Sequence, residues 1–256
     1  MRWSLISTLA VLALTLTTTN GFALPCELLE GRRIQLELET QLQIGTIEAL
    51  INDGLRAQRR RFFKEAVESY GTAIGKTELL RDRWSGLIQT LVTEVTKSNR
   101  MQGECTEILS RSIARAITLK DLLHDVYPRL GRVYSAIGNH PRAAREFAKA
   151  VQTRPNDSTL WRELGTAQLQ SDQPAAAIES LDRSLILDPY QPQVLYDLAR
   201  SHSRIEETDR AIHDLRHSIS RGFSDFTVIE RDDGFSRLRG DARFEEIVYH
   251  GPASVY

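Results

Sequence analysis

The sequence predicts an all-α protein: a right-handed α-solenoid of helix–turn–helix repeats, opened by an N-terminal helix and closed by a short helical C-terminal cap. Three observations predict it. First, "VYPRLGRVYSA" at 126–136 returns as "LWRELGTAQLQ" at 160–170, which sets Trp161 over Tyr127, Leu164 over Leu130 and Gly165 over Gly131 at a step of 34 residues. Second, Ala143, Ala177 and Ala211 keep that step, as do Phe147, Leu181 and Leu215, and Ala150, Ser184 and Ser218. Third, the apolar residues inside each unit fall at helical spacing, such as Leu160, Leu164 and Ala167, then Ala177, Leu181 and Ser184.

The units themselves follow from this. Two good copies occupy 124–157 and 158–191, and a third at 192–225 keeps the helix spacing with Ala199 in the glycine position and Phe223 in the proline position. Gly131 and Gly165 let paired helices approach closely, with Ala143 and Ala177 opposite. "RPND" and "DPYQP" stop one helix and start the next. Two weaker copies are expected upstream. One, at 47–80, rests on Gly54, Ala66, Tyr70 and Ala73; the other, at 90–123, rests on Leu109, Ile113 and Ala116. The step between them is 43, which implies an insertion of about nine residues around "KTELLRDRW". No helix pair of this kind buries its apolar face alone, so the stack is the folding unit.

With this period and these positions, the chain resembles the tetratricopeptide repeat (TPR) family. That resemblance implies an array over 47–225 whose first helices line a concave, partner-binding side. Residues 24–46 precede the array. Ile34 to Ile44 alternate like a strand, but Glu, Gln and Leu dominate, Ile34, Leu38 and Leu42 satisfy a helical stripe, and a lone strand has no partner, so a helix is expected. The tail at 226–256 leaves the period. Through Phe235, Leu238, Arg239, Asp241, Arg243 and Phe244 it resembles a segment that follows bacterial TPR arrays. Gly222 is placed to end a helix, and Asp225, Asp232 or Asp233, and Asp241 to start three short ones over the last repeat.

Residues 1–23 read as a signal peptide: Arg2, the apolar run "LISTLAVLALTL", and a small-residue cleavage site before Leu24. The apolar run is about a dozen residues where a span needs ~20, so no stable membrane insertion is expected after its removal. "ALPC" lacks the residues of a lipoprotein site. An exported protein, periplasmic or extracellular and of bacterial type, is the expectation. Cys26 and Cys105 then form either one disulfide in an oxidising compartment or two free, buried side chains.

A net charge of −1 and no long basic stripe argue against nucleic acid; "RAQRRRF" at 56–62 reads as a solvated turn. Nucleophile elbows, zincin motifs and phosphate loops are missing, so a non-enzyme without cofactor is expected. Asp209, His213 and His217 share a helix face at metal-ligand spacing, but that face belongs to an outward second helix and reads as solvated, with no metal. His202 reads as a hydrogen-bonded core histidine. The concave side should present Arg129, Arg132, Arg162, Tyr196, Arg200 and Arg204. Arginine forks of that kind suit a protein or peptide partner bearing carboxylates. The alternative is a mixed-charge solvated surface in which Glu163 and Asp197 pair with those arginines. The lysine–asparagine clamp of some family members is not reproduced at Pro128, Arg132, Glu163, Gln193 and Asp197. Competing readings are a structural part of an envelope complex, or an enzyme with its site near His213 or Asp233.

Overall fold

A computed structural model describes residues 26–97 and 102–250. The leader expected at 1–23 and the last residues of the expected tail, 251–256, lie outside them. Every regular element among the described residues is helical: α1 (Cys26–Arg59), α2 (Phe63–Lys97), α3 (Gln102–Ala136), α4 (His140–Thr153), α5 (Ser158–Gln170), α6 (Pro174–Leu187), α7 (Pro192–Arg204), α8 (Thr208–Ser220), α9 (Phe226–Arg231), a 3-10 helix (Asp233–Leu238) and α10 (Ala242–His250). None is long and apolar enough to cross a membrane.

The chain divides into two compact units. The first, among the described residues, holds 26–50 and 75–122. Buried positions recur in it at steps of three, four or their sum of seven: Cys26, Leu29, Leu36, Thr40 and Ile47 on α1, and Thr77, Leu80, Trp84, Leu87 and Leu91 on α2. Cys105, Ile108, Ser112 and Leu119 do the same on α3. That is the seam spacing of intertwined helices, not of the 34-residue repeat. Trp84 is fully buried, its indole Nε1–H donates to Thr40 Oγ1 at 2.9 Å, and the Thr40 hydroxyl donates to the Leu36 carbonyl at 2.7 Å. Ion pairs flank the seam, Arg115 with Glu37 at 2.9 Å and Arg83 with Glu39. Cys26 and Cys105 are joined by a disulfide, their Cα atoms 5.5 Å apart.

The second unit holds 51–74 and 123–250. Its repeat signature is a glycine on one helix facing a large side chain sixteen residues later. A Cβ at Gly131 would stand 2.8 Å from Phe147, one at Gly165 would stand 2.6 Å from Leu181, and one at Gly54 would stand 2.6 Å from Tyr70. The turn between paired helices repeats as well. Left-handed backbone occurs at Gly138 (φ 75°), Asp172 (φ 59°) and Glu206 (φ 67°), 34 residues apart, and also at Arg61 (φ 61°). Residues 51–74 are therefore a repeat pair. They join one core with the following pair, Ala66, Tyr70 and Ile74 lying with Leu123, Tyr127, Leu130 and Phe147.

This differs from the expected unit boundaries. Among the described residues no separate helix pair occupies 90–123: 90–97 belong to α2, and α3 runs unbroken from Gln102 to Ala136. The residues of the expected nine-residue insertion, 76–84, lie in the middle of α2. Leu109, Ile113 and Ala116 matched because any amphipathic helix offers an i, i+4, i+7 stripe, and Ile113 is exposed. Helix α3 also passes straight through Pro128. Proline cannot donate to the carbonyl four residues back, that of His124, and Arg154 Nη2 donates to it instead at 3.1 Å.

Side-chain caps fix five of the helix starts. Asn139 and Asp157 accept backbone N–H groups at the starts of α4 and α5, and Asp225, Asp232 and Asp241 do so for the three tail helices. Ile229, Phe235, Leu238, Phe244 and Ile247 pack with Tyr196, Ala211 and Leu215, so the tail closes the last repeat pair. The close glycine approach yields a prediction. Gly165→Ala should lose about 1–3 kcal/mol despite a gain of ~1 kcal/mol in helix propensity, because its Cβ meets both Leu181 and the Ala177 carbonyl at 3.2 Å. A urea melt that shows the variant unchanged or stabilised would refute this.

Candidate functional site

The first helices of successive repeats, the end of α3, then α5 and α7, are joined by a ladder of side-chain contacts. A donor on one helix reaches a carboxylate on the next about one repeat later. Arg132 forks onto Glu163, Nε to Oε1 at 2.6 Å and Nη2 to Oε2 at 3.2 Å. Thr166 Oγ1 donates to Asp197 Oδ2 at 3.0 Å. Arg200 Nε lies 2.7 Å from Asp232 Oδ2, an ion pair in which the N–H does not point at the oxygen, while Nη1 donates to Asp197 Oδ1 at 3.3 Å. The Tyr196 hydroxyl donates to the same Asp232 oxygen at 2.5 Å.

Asp197 is 3% exposed, and burial pushes its carboxyl above the usual range against the opposing pull of Arg200 and Thr166. Tyr196 is 2% exposed; burial, with Asp232 beside it, holds its hydroxyl protonated far above the ordinary phenol range. Its ring stacks on Phe223 at 4.4 Å and meets the edge of Phe235 at 5.5 Å.

The six residues expected on a groove thus have different fates. Tyr196 and Arg200 lie beneath the tail, where Asp232 supplies the carboxylate that an outside ligand was expected to bring. Arg204 donates to the Leu169 carbonyl at 3.1 Å and to Asp172 at 3.3 Å, closing the end of α5. Arg132 is held by Glu163. Four of the six therefore serve the fold, which follows from carboxylates spaced one ladder step from each arginine. Arg129 is half-buried beside the Tyr70 hydroxyl, and its Nε has no partner. Arg162, also half-buried, makes no ion pair among the described residues. Asp232 was expected only as a candidate helix cap, and its pairing with Arg200 and Tyr196 went unrecognised because it lies beyond the periodic region; the signal for Glu163 and Asp197 was their placement 31 residues after Arg132 and Thr166.

The three histidines of α7 and α8 have partners within the fold. His202 is buried, with Nδ1 2.8 Å from Asp214 Oδ2. On the outer stripe, Asp209 takes Arg243 at 2.8 Å, His213 Nδ1 lies 3.0 Å from Asp214, and Arg221 Nε donates to His217 at 3.2 Å. Among the described residues no three His, Cys, Asp or Glu side chains are grouped to hold a metal ion.

A family model described as tetratricopeptide repeat matches residues 129–192. Cellulose synthase operon protein C of Pseudomonas fluorescens (strain SBW25) is 29% identical over 91 residues, 36% of this chain and 7% of that protein. BBSome complex member BBS4 of Xenopus tropicalis is 32% identical over 78 residues, 30% of this chain and 15% of that protein. The peroxisomal targeting signal receptor of Candida glabrata is 28% identical over 121 residues, 46% of this chain and 20% of that protein. The chain therefore spans a fifth or less of the length of these relatives. Among solved structures, MamA aligns over 69% of this chain and 91% of its own at 14% identity and a TM-score of 0.38. YrrB, described as a TPR protein with an unusual peptide-binding site, aligns over 71% and 89% at 16% identity and a TM-score of 0.39. The matched model falls on the helices whose glycines, turns and cross-repeat ladder recur every 34 residues, and this part of the chain is built of tetratricopeptide repeats.

Proposed function

We propose that this chain is an exported, non-enzymatic scaffold that binds a carboxylate-bearing peptide or protein segment on the first-helix face of its repeats, through Arg162 and Arg129. One observation carries the reading: Arg162 is a half-buried guanidinium without a carboxylate, on a face where Arg132, Arg200 and Arg204 all have one. A partly desolvated, unneutralised guanidinium gains most from a bidentate carboxylate. One relative is named a receptor for a targeting signal, a recognition role in keeping with a scaffold. The leader at 1–23 supports export.

The test is binding to an array of acidic and neutral peptides, with N-terminal sequencing of the exported protein. Acidic peptides should bind in preference, and Arg162→Glu with Arg129→Glu should weaken that binding at least ~10-fold while the melt is unchanged. Equal binding by the variant moves the contact off this face. A mature N-terminus other than Leu24 overturns the leader assignment.

A further inference from the structure

The first unit presents a surface that its own packing does not use. On α1, Ile34, Leu38 and Leu42 follow one another at steps of four and are 47%, 63% and 79% exposed. Gly31 and Gly45 bound them, each with open space where a Cβ would stand. Between those glycines the outward face holds in addition only Gln35 and Gln41. No charge lies on it for four turns, although Arg33, Glu37 and Glu39 crowd its sides and are paired with Glu30, Arg115 and Arg83. A helix face made for water carries charge, and an exposed aliphatic stripe bounded by charge marks a contact surface.

The stripe also reads the same in both directions. Counted outward from Leu38, glutamine stands three residues away on each side (Gln35, Gln41), a large aliphatic four away (Ile34, Leu42) and glycine seven away (Gly31, Gly45). A two-fold axis across a helix at Leu38 sets each position opposite its mirror position on the partner. Leu38 then meets Leu38, Ile34 meets Leu42, Gln35 meets Gln41, and glycines meet at both ends, where they allow close backbone approach. The stripe is thereby complementary to itself, which is the property an isologous contact with a second copy uses.

We propose that this face is the two-fold contact of a homodimer, in which α1 of one copy crosses antiparallel over α1 of another, centred on Leu38. A single helix crossing buries less than the ~800 Å² per partner of a standard interface, so the association is reversible and concentration-dependent.

Sedimentation equilibrium of the purified protein tests it. The average mass should climb from one chain towards two as concentration rises through the micromolar range, and Leu38→Glu should hold it at one, with helicity and melting unchanged because Leu38 is exposed. Cysteine pairing tests the geometry, since both native cysteines are already bonded to each other. Under mild oxidation Leu38→Cys should link to itself. Ile34→Cys should not, but should link to Leu42→Cys when the two variants are mixed. A mass of one chain at every concentration, a dimer indifferent to Leu38→Glu, or Ile34→Cys linking to itself would each overturn the proposal.

Discussion

Arg200→Ala is expected to cost about 3–5 kcal/mol and to loosen the C-terminal cap from α7. The arginine lies between two carboxylates, Asp197 and Asp232, whose side chains are 4% and 13% exposed. Removing it leaves both in a poorly hydrated site with no cation, Asp197 held by Thr166 and Gln193 and Asp232 by Tyr196 and the Gly234 N–H. The tail sits tightly there: a Cβ at Gly234 would be 3.1 Å from Arg200 Nε. The loss should depend on pH in a defined direction. The folded state raises the Asp197 pKa, so the native protein holds that proton more firmly than the unfolded chain does. Such a group favours folding most below its unfolded value and loses that contribution as pH rises through the folded value. Without Arg200 the folded value moves higher still. The deficit of Arg200→Ala should therefore be smaller near pH 4.5 than at pH 7.5. Asp197→Asn, which removes the charge and keeps an acceptor for Thr166, should cost much less. Asp241, at the surface, acts the other way: Arg243 holds it at about 2, so its contribution is present above the ordinary aspartate value of 3.8 and fades as pH falls towards 2. Urea melts at the two pH values, with proteolysis of residues 225–250 as the readout for the cap, measure this. Equal deficits, with the tail no more open to cleavage, would show that Arg200 is not the clasp.

What could be read from the sequence follows its period. From Val126 to Ser220 every unit repeats the same steric problem, a small residue where helices cross and a large one where pairs stack, so position in the period names the contact. Gly165 against Leu181 is the clearest case. Residues 75–122 obey a different rule, steps of three and four along long helices, and short samples of the two rules look alike. Leu109, Ile113 and Ala116 satisfy both; the core that Ala66, Tyr70 and Ile74 share with Leu123, Tyr127 and Phe147 shows that the pair at 51–74 stacks directly on the pair at 123–153. The candidate site was half legible for a similar reason. Helix phase placed Arg132, Arg162 and Arg200 on one face, but which carboxylate each meets depends on the rise from one repeat to the next. For Arg200 that carboxylate is Asp232, in a segment with no period from which to extrapolate.

Replacing both Cys26 and Cys105 by serine, or adding reductant, should destabilise the first unit by about 3–4 kcal/mol. The bond spans 79 residues, long enough that opening it frees a large unfolded ensemble. The seam it closes is also thin in apolar contact: Thr40, Thr77, Glu94 and Ser112 occupy buried positions where leucine would contribute more. For a unit of this size each kcal/mol moves the melting temperature by about 4–8 °C, so a fall of roughly 12–30 °C is expected where the unit melts separately. Trp84 is its natural reporter, fully buried and bonded to Thr40, and a Trp161→Phe background removes the competing signal from the repeats. The repeat array contains no cysteine and should keep its own transition under reductant. A first unit as stable reduced as oxidised would show that its helices hold by packing alone, and would remove the physical reason for tying this chain to an oxidising compartment.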